Sequence, residues 1–400
     1  SSCESGGDGS INPDPVSSVP KLTRIPISVS GCFGAVKPTI NKIGEITIIP
    51  RSPAPFYIYA VGKVNDIFKK VKGSSTKVSQ LDFKIRIGQS NITSLMGEAS
   101  NNNTFKVVKG IDICRYGIKN YRFIKKEYVE DSYLKPKVLI QEIIAHITSP
   151  TPHITVMSCV DNEGILIHDT VVGVIQDKYE PHFLVAIFNS KWTSWYAYNI
   201  IYCRAIRTMH FIDYYVAQLP LPNIKFNTTK AIKDKYFNEA LKIYNKNISI
   251  PPVAVLSYFD ETIIKETSGS EVLYEFVTHL ARGIAQDKLK EKELQNEFII
   301  WLEREITKTP IENLKDKTKI YHFAETGLAG ITDVLKKNNI FSKTIGMGDQ
   351  RYSLLESAYN ETMAKLGPLQ VKIKSTDDLI DQIVYRLYGL TEEEINVVEG

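Results

Sequence analysis

Apolar and polar positions follow two different rhythms along this chain. From about residue 81 to 180 the apolar runs are short and rich in Val, Ile, Tyr and Phe: FKIRIG, TFKVVKG, YRFIKKEYV, KVLIQEIIAHI, HITVMSCV and TVVGVI. Gly, Asn, Asp and Pro separate them, which predicts strands joined by turns. KVNDIFKKV, within 62–80, predicts a short helix that breaks at Gly73–Ser75. EPHFLVAIFNSKWTSWYAYNII reads as a helix, with Pro181 in its first turn and Phe183, Ile187, Trp195 and Tyr196 at helical spacing. The run MHFIDYYVAQLPLP that follows predicts a strand ending on two prolines.

After about residue 228 the helical rhythm takes over. TKAIKDKYFNEALKIYNK, the charged stretch 271–305, and residues 351–366 and 376–388 each predict a helix, while PPVAVLSYF predicts a short extended piece. In the last helix Leu379, Ile380, Ile383, Val384 and Leu387 form one apolar stripe. Gly389 stands where a helix C-cap belongs, and Thr391 with Glu394 predicts a capping box for a final turn. At the other end, residues 1–20 read as a flexible Ser/Gly/Pro-rich lead. The β-like runs ITII (46–49) and FYIYAV (56–61) are split by Pro50, Pro53 and Pro55, which predicts edge strands or connector. The expected fold is α+β, in three stretches: lead and connector over 1–61, a β-rich domain over 62–228, and a helical region over 229–400.

Charge changes this picture locally rather than globally. The chain's net charge is only +4. Yet Lys63–Lys137 holds 16 Lys/Arg against 7 Asp/Glu, and Ser375–Gly400 holds one Arg against seven Asp/Glu. A basic segment with an acidic end points to one part facing a polyanion and another facing something else, with ordinary solvated surface as the plainer alternative. The five cysteines form no CxxC pair, which argues against a disulfide framework or a zinc cluster and fits a reducing cytoplasm. No apolar run approaches the roughly 18 residues of a membrane span, and no signal peptide is visible. The chain begins with Ser rather than Met, compatible with a fragment, a processed product or a tag scar.

Most catalytic signatures are missing: there is no GxGxxG, GxxxxGK[ST], HExxH or GxSxG. GCFGAV (31–36) has too few glycines for a nucleotide loop, and GMGD (347–350) reads as a turn. The seven histidines show no paired spacing, and His146 and His153 read as structural. Asp377/Asp378 and Glu392–Glu394 fall where first helical turns are expected, so the helix dipole accounts for them.

The ending, LIDQIVYRLYGLTEEEINVVEG, resembles the closing pattern IDxxVYxLYGLTxEEIxxVE of adenine-specific DNA methyltransferases of the Taq-like and type IIG restriction-modification group. FKVVKGIDICRYGI (105–118), KPKVLIQEI (135–143), FLVAIFNSKWTSWY (183–196), VAQLPLP (216–222) and EFIIWLEREITKTPIENLKDKTKI (297–320) resemble the same region in the same order. The resemblance spans roughly 62–400. It implies a target-recognition domain plus a helical tail, a module that grips double-stranded DNA and selects its sequence. The family's S-adenosylmethionine loop and its Asn-Pro-Pro-Tyr/Phe motif, which holds a flipped adenine, lie upstream and do not occur here; NPDP (12–15) lacks the aromatic that would stack on the base. The resemblance therefore implies no catalytic residue and no cofactor in this chain, S-adenosylmethionine in the catalytic domain of a parent enzyme, and a methyltransferase domain or subunit as partner. A separate specificity subunit recruiting such a partner, and a divergent DNA-modifying enzyme, remain alternatives.

DNA recognition needs cations for phosphates and polar side chains for base edges. In KIRIGQSN, alternation places Lys84 and Arg86 on one face, away from Phe83, Ile85 and Ile87, and runs them into a polar loop with Gln89 and Asn91. Lys109, Arg115 and Tyr116 lie in KGIDICRY, where Gly110 predicts a tight turn; an Asp112–Arg115 structural pair is the plainer alternative. Lys137 and Gln141 flank an apolar strand. His168 and Thr170 end GILIHDT near a loop, and Lys191 is in reach of phosphate from the helical run. Trp192, Trp195 and Tyr196 read as core. Arg204 and Arg207 fit one strand face, in a salt bridge or on a phosphate. The tail packs against the recognition domain or the rest of an enzyme, or else forms a solvated bundle.

Overall fold

The computed structural model describes residues 62–97, 101–130, 134–246, 253–264, 269–342, 344 and 349–400. The runs ITII and FYIYAV, and the motifs GCFGAV and NPDP, lie outside them. The chain is α+β, with a β-rich region around 75–175 and helices after it.

The first helix, α1 (Lys63–Ser74), carries Val64, Ile67, Phe68 and Val71 on one face, and all four are buried. The strands follow: β1 (Ser75–Lys77), β2 (Lys84–Ile87), β3 (Thr104–Val108), β4 (Ile113–Cys114), β5 (Gly117–Ile118), β6 (Arg122–Lys125), β7 (Lys137–Gln141), β8 (Ile143–Ile144), β9 (Ser158–Asp161), β10 (Leu166–Ile167) and β11 (Val171–Ile175). β2, β11, β7 and β9 form an antiparallel four-stranded sheet in that order, and β10, β3 and β6 form a smaller one, with β10 parallel to β3. The period-2 alternation of strands then sorts the large sheet's side chains. Val138, Ile140, Val172 and Val174 face the helices, whereas Leu139, Cys159 and Val171 face the small sheet and pack with Val108, Ile113 and Ile167. The large sheet is thus the middle layer of three.

The helical layer starts with α2 (Pro181–Asn189) and α3 (Lys191–Tyr196). Pro181 occupies the first turn as expected, and the Glu180 carboxylate accepts the His182 N–H at 2.7 Å. Every residue from Phe183 to Asn189 is buried, which suits a helix wedged between sheet and bundle. The expected strand MHFIDYYVAQLPLP is instead three pieces: β12 (Met209–His210), a turn of helix α4 (Asp213–Val216), and β13 (Pro220–Pro222), which pairs with β1. Its proline-ended tail forms a strand, but Asp213 at the start of α4 and the buried Val216 favour a helical turn between the two.

Beyond α5 (Lys230–Lys246), α6 (Val253–Tyr258) replaces most of the extended piece expected from PPVAVLSYF; its Val255 is buried and Phe259 just after it is in the core. α7 (Gly269–Leu302) runs as expected. It is followed by α8 (Thr318–Tyr321), α9 (Phe323–Lys337), α10 (Gln350–Leu387) and α11 (Glu392–Glu399). Where two helices were expected over 351–388 there is one of 38 residues, with Pro368 inside it. An interior proline costs roughly 3 kcal/mol. Burial of Leu366 before it and Ile373 and Leu379 after it offsets that cost by holding both halves on one axis. Gly389 has φ of 65°, as a helix-terminating glycine should, and Thr391 and Glu394 make the expected capping box. No described helix is long and apolar enough to cross a membrane.

α7 and α10 are antiparallel: Lys372 meets Asp287 at 2.6 Å, and Gln370 donates to Glu291 at 2.9 Å. Their near halves, with α11, share one core with α1, α2, α3 and the large sheet, from Val64 to Val398. Their far halves and α9 build a second core around Phe298, Leu302, Phe323, Leu355 and Leu366. The end of the tail therefore packs on the recognition region, and residues on both sides of position 228 share a core.

A polar clamp fixes that packing. Arg115, just after β4, makes a forked contact with Asp377 on α10, with its NH2 group 2.7 and 2.6 Å from the two oxygens, and also donates to the Asn189 carbonyl at the end of α2. Tyr116 donates its hydroxyl to Asp377 at 2.8 Å. One turn on, Asp381 accepts the Lys191 backbone N–H at 2.8 Å and so caps α3. Asp377 thus lies mid-helix, where the expected dipole role does not apply. Burial and the neighbouring Asp377 raise Asp381 to about 7, against the opposing Arg115 and Lys191. Unfolded, this carboxyl would titrate near about 3.9. Between those values the folded chain holds a proton that the unfolded chain releases, so this group's effect is to lower stability as pH rises from about 4 to about 7. We predict that Asp381→Asn, which keeps the acceptor for Lys191, raises stability by about 1–3 kcal/mol at about pH 8 and flattens the profile between about pH 4 and pH 7. Urea unfolding at a series of pH values checks this; an unchanged profile would contradict it.

Candidate nucleic-acid interface

The carboxyl ends of several strands meet at one turn, residues 167–170. Gln89 N–H, past the end of β2, donates to the Ile167 carbonyl at 2.8 Å. His168 N–H donates to Val108, the last residue of β3, at 3.0 Å. Gly110 N–H donates to the Thr170 hydroxyl at 2.9 Å, and Glu142 N–H, between β7 and β8, donates to the Thr170 carbonyl at 3.0 Å. Two glycines permit this crowding. A Cβ at Gly88 would lie 2.2 Å from the His168 carbonyl oxygen, and one at Gly110 would lie 2.5 Å from that of Thr170. Gly110 is needed for close approach, within a 3-10 turn over Gly110–Asp112.

The junction is rigid and polar. The His168 ring has one nitrogen 2.7 Å from the Thr93 hydroxyl and the other 3.0 Å from that of Thr170. Burial lowers its pKa, with the Asp169 carboxylate 2.7 Å from Nδ1 opposing and Lys109 and Arg122 reinforcing. The Gln89 side chain is consumed as well: its amide donates to the Tyr128 carbonyl at 2.7 Å and its oxygen accepts Glu130 N–H at 3.2 Å. Asp112, buried, lies 3.9 Å from Arg122 and accepts Lys109 N–H at 3.3 Å. The Asp112–Arg115 pair considered above does not form; each takes another partner.

The twelve candidate residues meet three fates. Gln89, Asn91, Lys109, Gln141, His168 and Thr170 come together at or beside the junction. Of these, Gln89, His168 and Thr170 hold the junction together through their side chains. Asn91 is exposed in a left-handed turn with φ of 61°; Lys109 and Gln141 are partly exposed. Lys84 and Arg86 project from the edge strand that leads into the junction, on the expected face and away from the partly buried Ile85 and Ile87.

The other four candidates are engaged elsewhere. Lys137 forms a buried ion pair with Asp161 at 2.7 Å, the two side chains 2% and 0% exposed, and also donates to the carbonyls of Lys135 and Ile165. Asp161 accepts three further backbone N–H groups, from Glu163, Gly164 and Ile165. Burial lowers the Lys137 pKa and Asp161 counters it. Arg115 and Tyr116 belong to the clamp. Lys191 stands 3.6–3.8 Å from Asp378, Asp381 and Glu399; burial works against its charge, but those carboxylates outweigh it and raise its pKa. A cleft of about 680 Å³ opens beside this cluster. Its lysine and Arg115 are already matched by carboxylates, so it presents no surplus positive charge to a phosphate.

Trp192 and Tyr196 are buried as expected and Trp195 packs against the core. Arg204 and Arg207 lie on an exposed loop, not a strand, and Arg204 donates to the Asn199 side chain at 2.7 Å. The pattern reading missed Arg122, whose alternation within β6 was readable, and the Asp377/Asp381 pair, whose four-residue spacing on an apolar stripe signals buried carboxylates in need of a cation.

Two stacked sheets, backed by helices, present strand-end loops with Lys84 and Arg86 along one edge. Residues 105–221 match the family model of the TaqI-like C-terminal specificity domain. That range runs from β3 to β13 and takes in the junction, the clamp arginine and the β12 loop; Lys84, Arg86, Gln89 and Asn91 precede it. No curated protein matches the chain.

The burial of Lys137 against Asp161 has a testable consequence. Lys137→Ala leaves Asp161 charged and buried, and should cost about 3–5 kcal/mol in urea unfolding. DNA affinity per folded molecule should be unchanged. An equally stable variant with weakened DNA binding would restore Lys137 as a contact.

Proposed function

We propose that this chain is the DNA target-recognition part of an adenine-specific methyltransferase or restriction-modification enzyme of the Taq-like, type IIG kind. The observation that carries this reading is the strand-end junction, lying largely within the residues that match the specificity domain and flanked by exposed Lys84, Arg86 and Asn91 and the partly exposed Lys109. Cations on the approach strand supply phosphate affinity, and polar side chains on the loops supply base readout. In this reading the chemistry resides in a methyltransferase domain or subunit that binds S-adenosylmethionine, and the chain works beside it. The clamp supports that division of labour, because it holds loops and helical tail as one piece that a catalytic partner could seat. The protein works in the cytoplasm, where duplex DNA and reduced thiols coexist; the three described cysteines are free.

Fluorescence anisotropy with a random-sequence duplex tests the reading. Affinity should fall steeply between about 50 and 200 mM salt. Lys84→Ala and Arg86→Ala should each lower the slope of log K against log salt by about one. No binding at low salt would contradict the proposal.

A further inference from the structure

The two most exposed large apolar side chains among the described residues are Ile206, 83% exposed, and Ile111, 70% exposed. Scattered exposed apolar residues are ordinary on a protein surface. These two are not scattered. Ile111 is the middle residue of the Gly110–Asp112 turn, next to Lys109 and seated on Thr170 through the Gly110 N–H. Ile206 is in the loop before β12, between Arg204 and Arg207. The two loops are joined through one residue. Glu142 donates its N–H to the Thr170 carbonyl at 3.0 Å, accepts Phe211 N–H at 2.7 Å, and has its carboxylate 2.6 Å from His210 Nδ1. Between them β8 pairs with β12 and leaves Ile143 exposed.

Both loops are fixed before any ligand arrives. In the first, Asp112 N–H closes on the Lys109 carbonyl at 3.0 Å. In the second, Cys203 and Arg204 have φ of 49° and 55°, a conformation that non-glycine residues hold only when their surroundings impose it. Here Arg204 N–H donates to the Tyr198 carbonyl at 2.9 Å, and the Tyr202 hydroxyl donates to the His210 carbonyl at 2.9 Å. An isoleucine held out in water on a rigid loop stabilises nothing in the isolated chain. Flanked by cations, it is suited to a surface with an anionic rim and apolar points within, as the phosphates and thymine methyl groups of a DNA major groove provide.

We infer that Ile111 and Ile206 are apolar base-contacting side chains, carried into a groove of duplex DNA by the phosphate-binding cations beside them. The inference rests on the DNA-recognition reading and adds its apolar specificity element. Groove walls offer such a residue the thymine methyl group or the face of a base step.

The test uses the full chain and two duplexes, one of random sequence and one carrying the sequence recovered by selection from a random pool. Ile111→Ala and Ile206→Ala should each weaken binding to the selected duplex about tenfold. Binding to the random duplex, its salt slope and the melting temperature should stay unchanged. Lys109→Ala and Arg207→Ala should weaken both duplexes alike and lower the salt slope by about one. Isoleucine variants that bind the selected duplex like the parent, or lose affinity equally for both duplexes, would overturn the inference while leaving DNA recognition standing. Failure of the parent chain to bind either duplex would overturn both.

Discussion

The strand-end loops of the β-rich region depend on one turn of backbone, residues 167–170. Four hydrogen bonds reach it from chain segments that follow β2, end β3, begin the Gly110 turn and link β7 to β8. A shared turn satisfies their backbone groups together, so that the loops take fixed positions without a ligand, and binding then loses less conformational entropy. The glycines at 88 and 110 allow the approach, and His168, bonded at both ring nitrogens, fills the polar interior.

The clamp does for the back of the module what the turn does for the front. Arg115 ties the loop after β4 to α10, and Asp381 caps α3. A forked guanidinium–carboxylate contact is specific in geometry, and the Asn189 carbonyl takes a further donor. Its contribution to stability is mixed, because burying Asp381 beside Asp377 costs part of what the arginine contact contributes. What the clamp secures is registration between the strand-end loops and the helical tail.

Much of this was legible in the residues. The strand pattern, α1, α2 with Pro181, the Gly389 terminator and the Thr391–Glu394 capping box follow from local rules, and the structure has them. The outward face of Lys84 and Arg86 followed from alternation alone. The failures share a cause: they concern residues whose partners are distant in sequence. Lys137 looks like a strand-flanking cation until Asp161, 24 residues on, is placed across from it. Arg115 looks like a phosphate ligand until Asp377, 262 residues away, meets it. Pro368 predicts a break that buried leucines on both sides prevent. The exposure of Ile111 and Ile206 was invisible for the same reason, since an isoleucine in sequence reads as core.

If the junction and its two loops form the DNA-facing edge, a bound duplex should cover them and leave the Arg115–Asp377 clamp untouched. Amide hydrogen exchange of the full chain, with and without a selected duplex, tests it most directly. New protection is expected over 84–91, 109–111 and 206–208, with no change over 377–388. Protection confined to the clamp and cleft, with the junction loops unaffected, would contradict it.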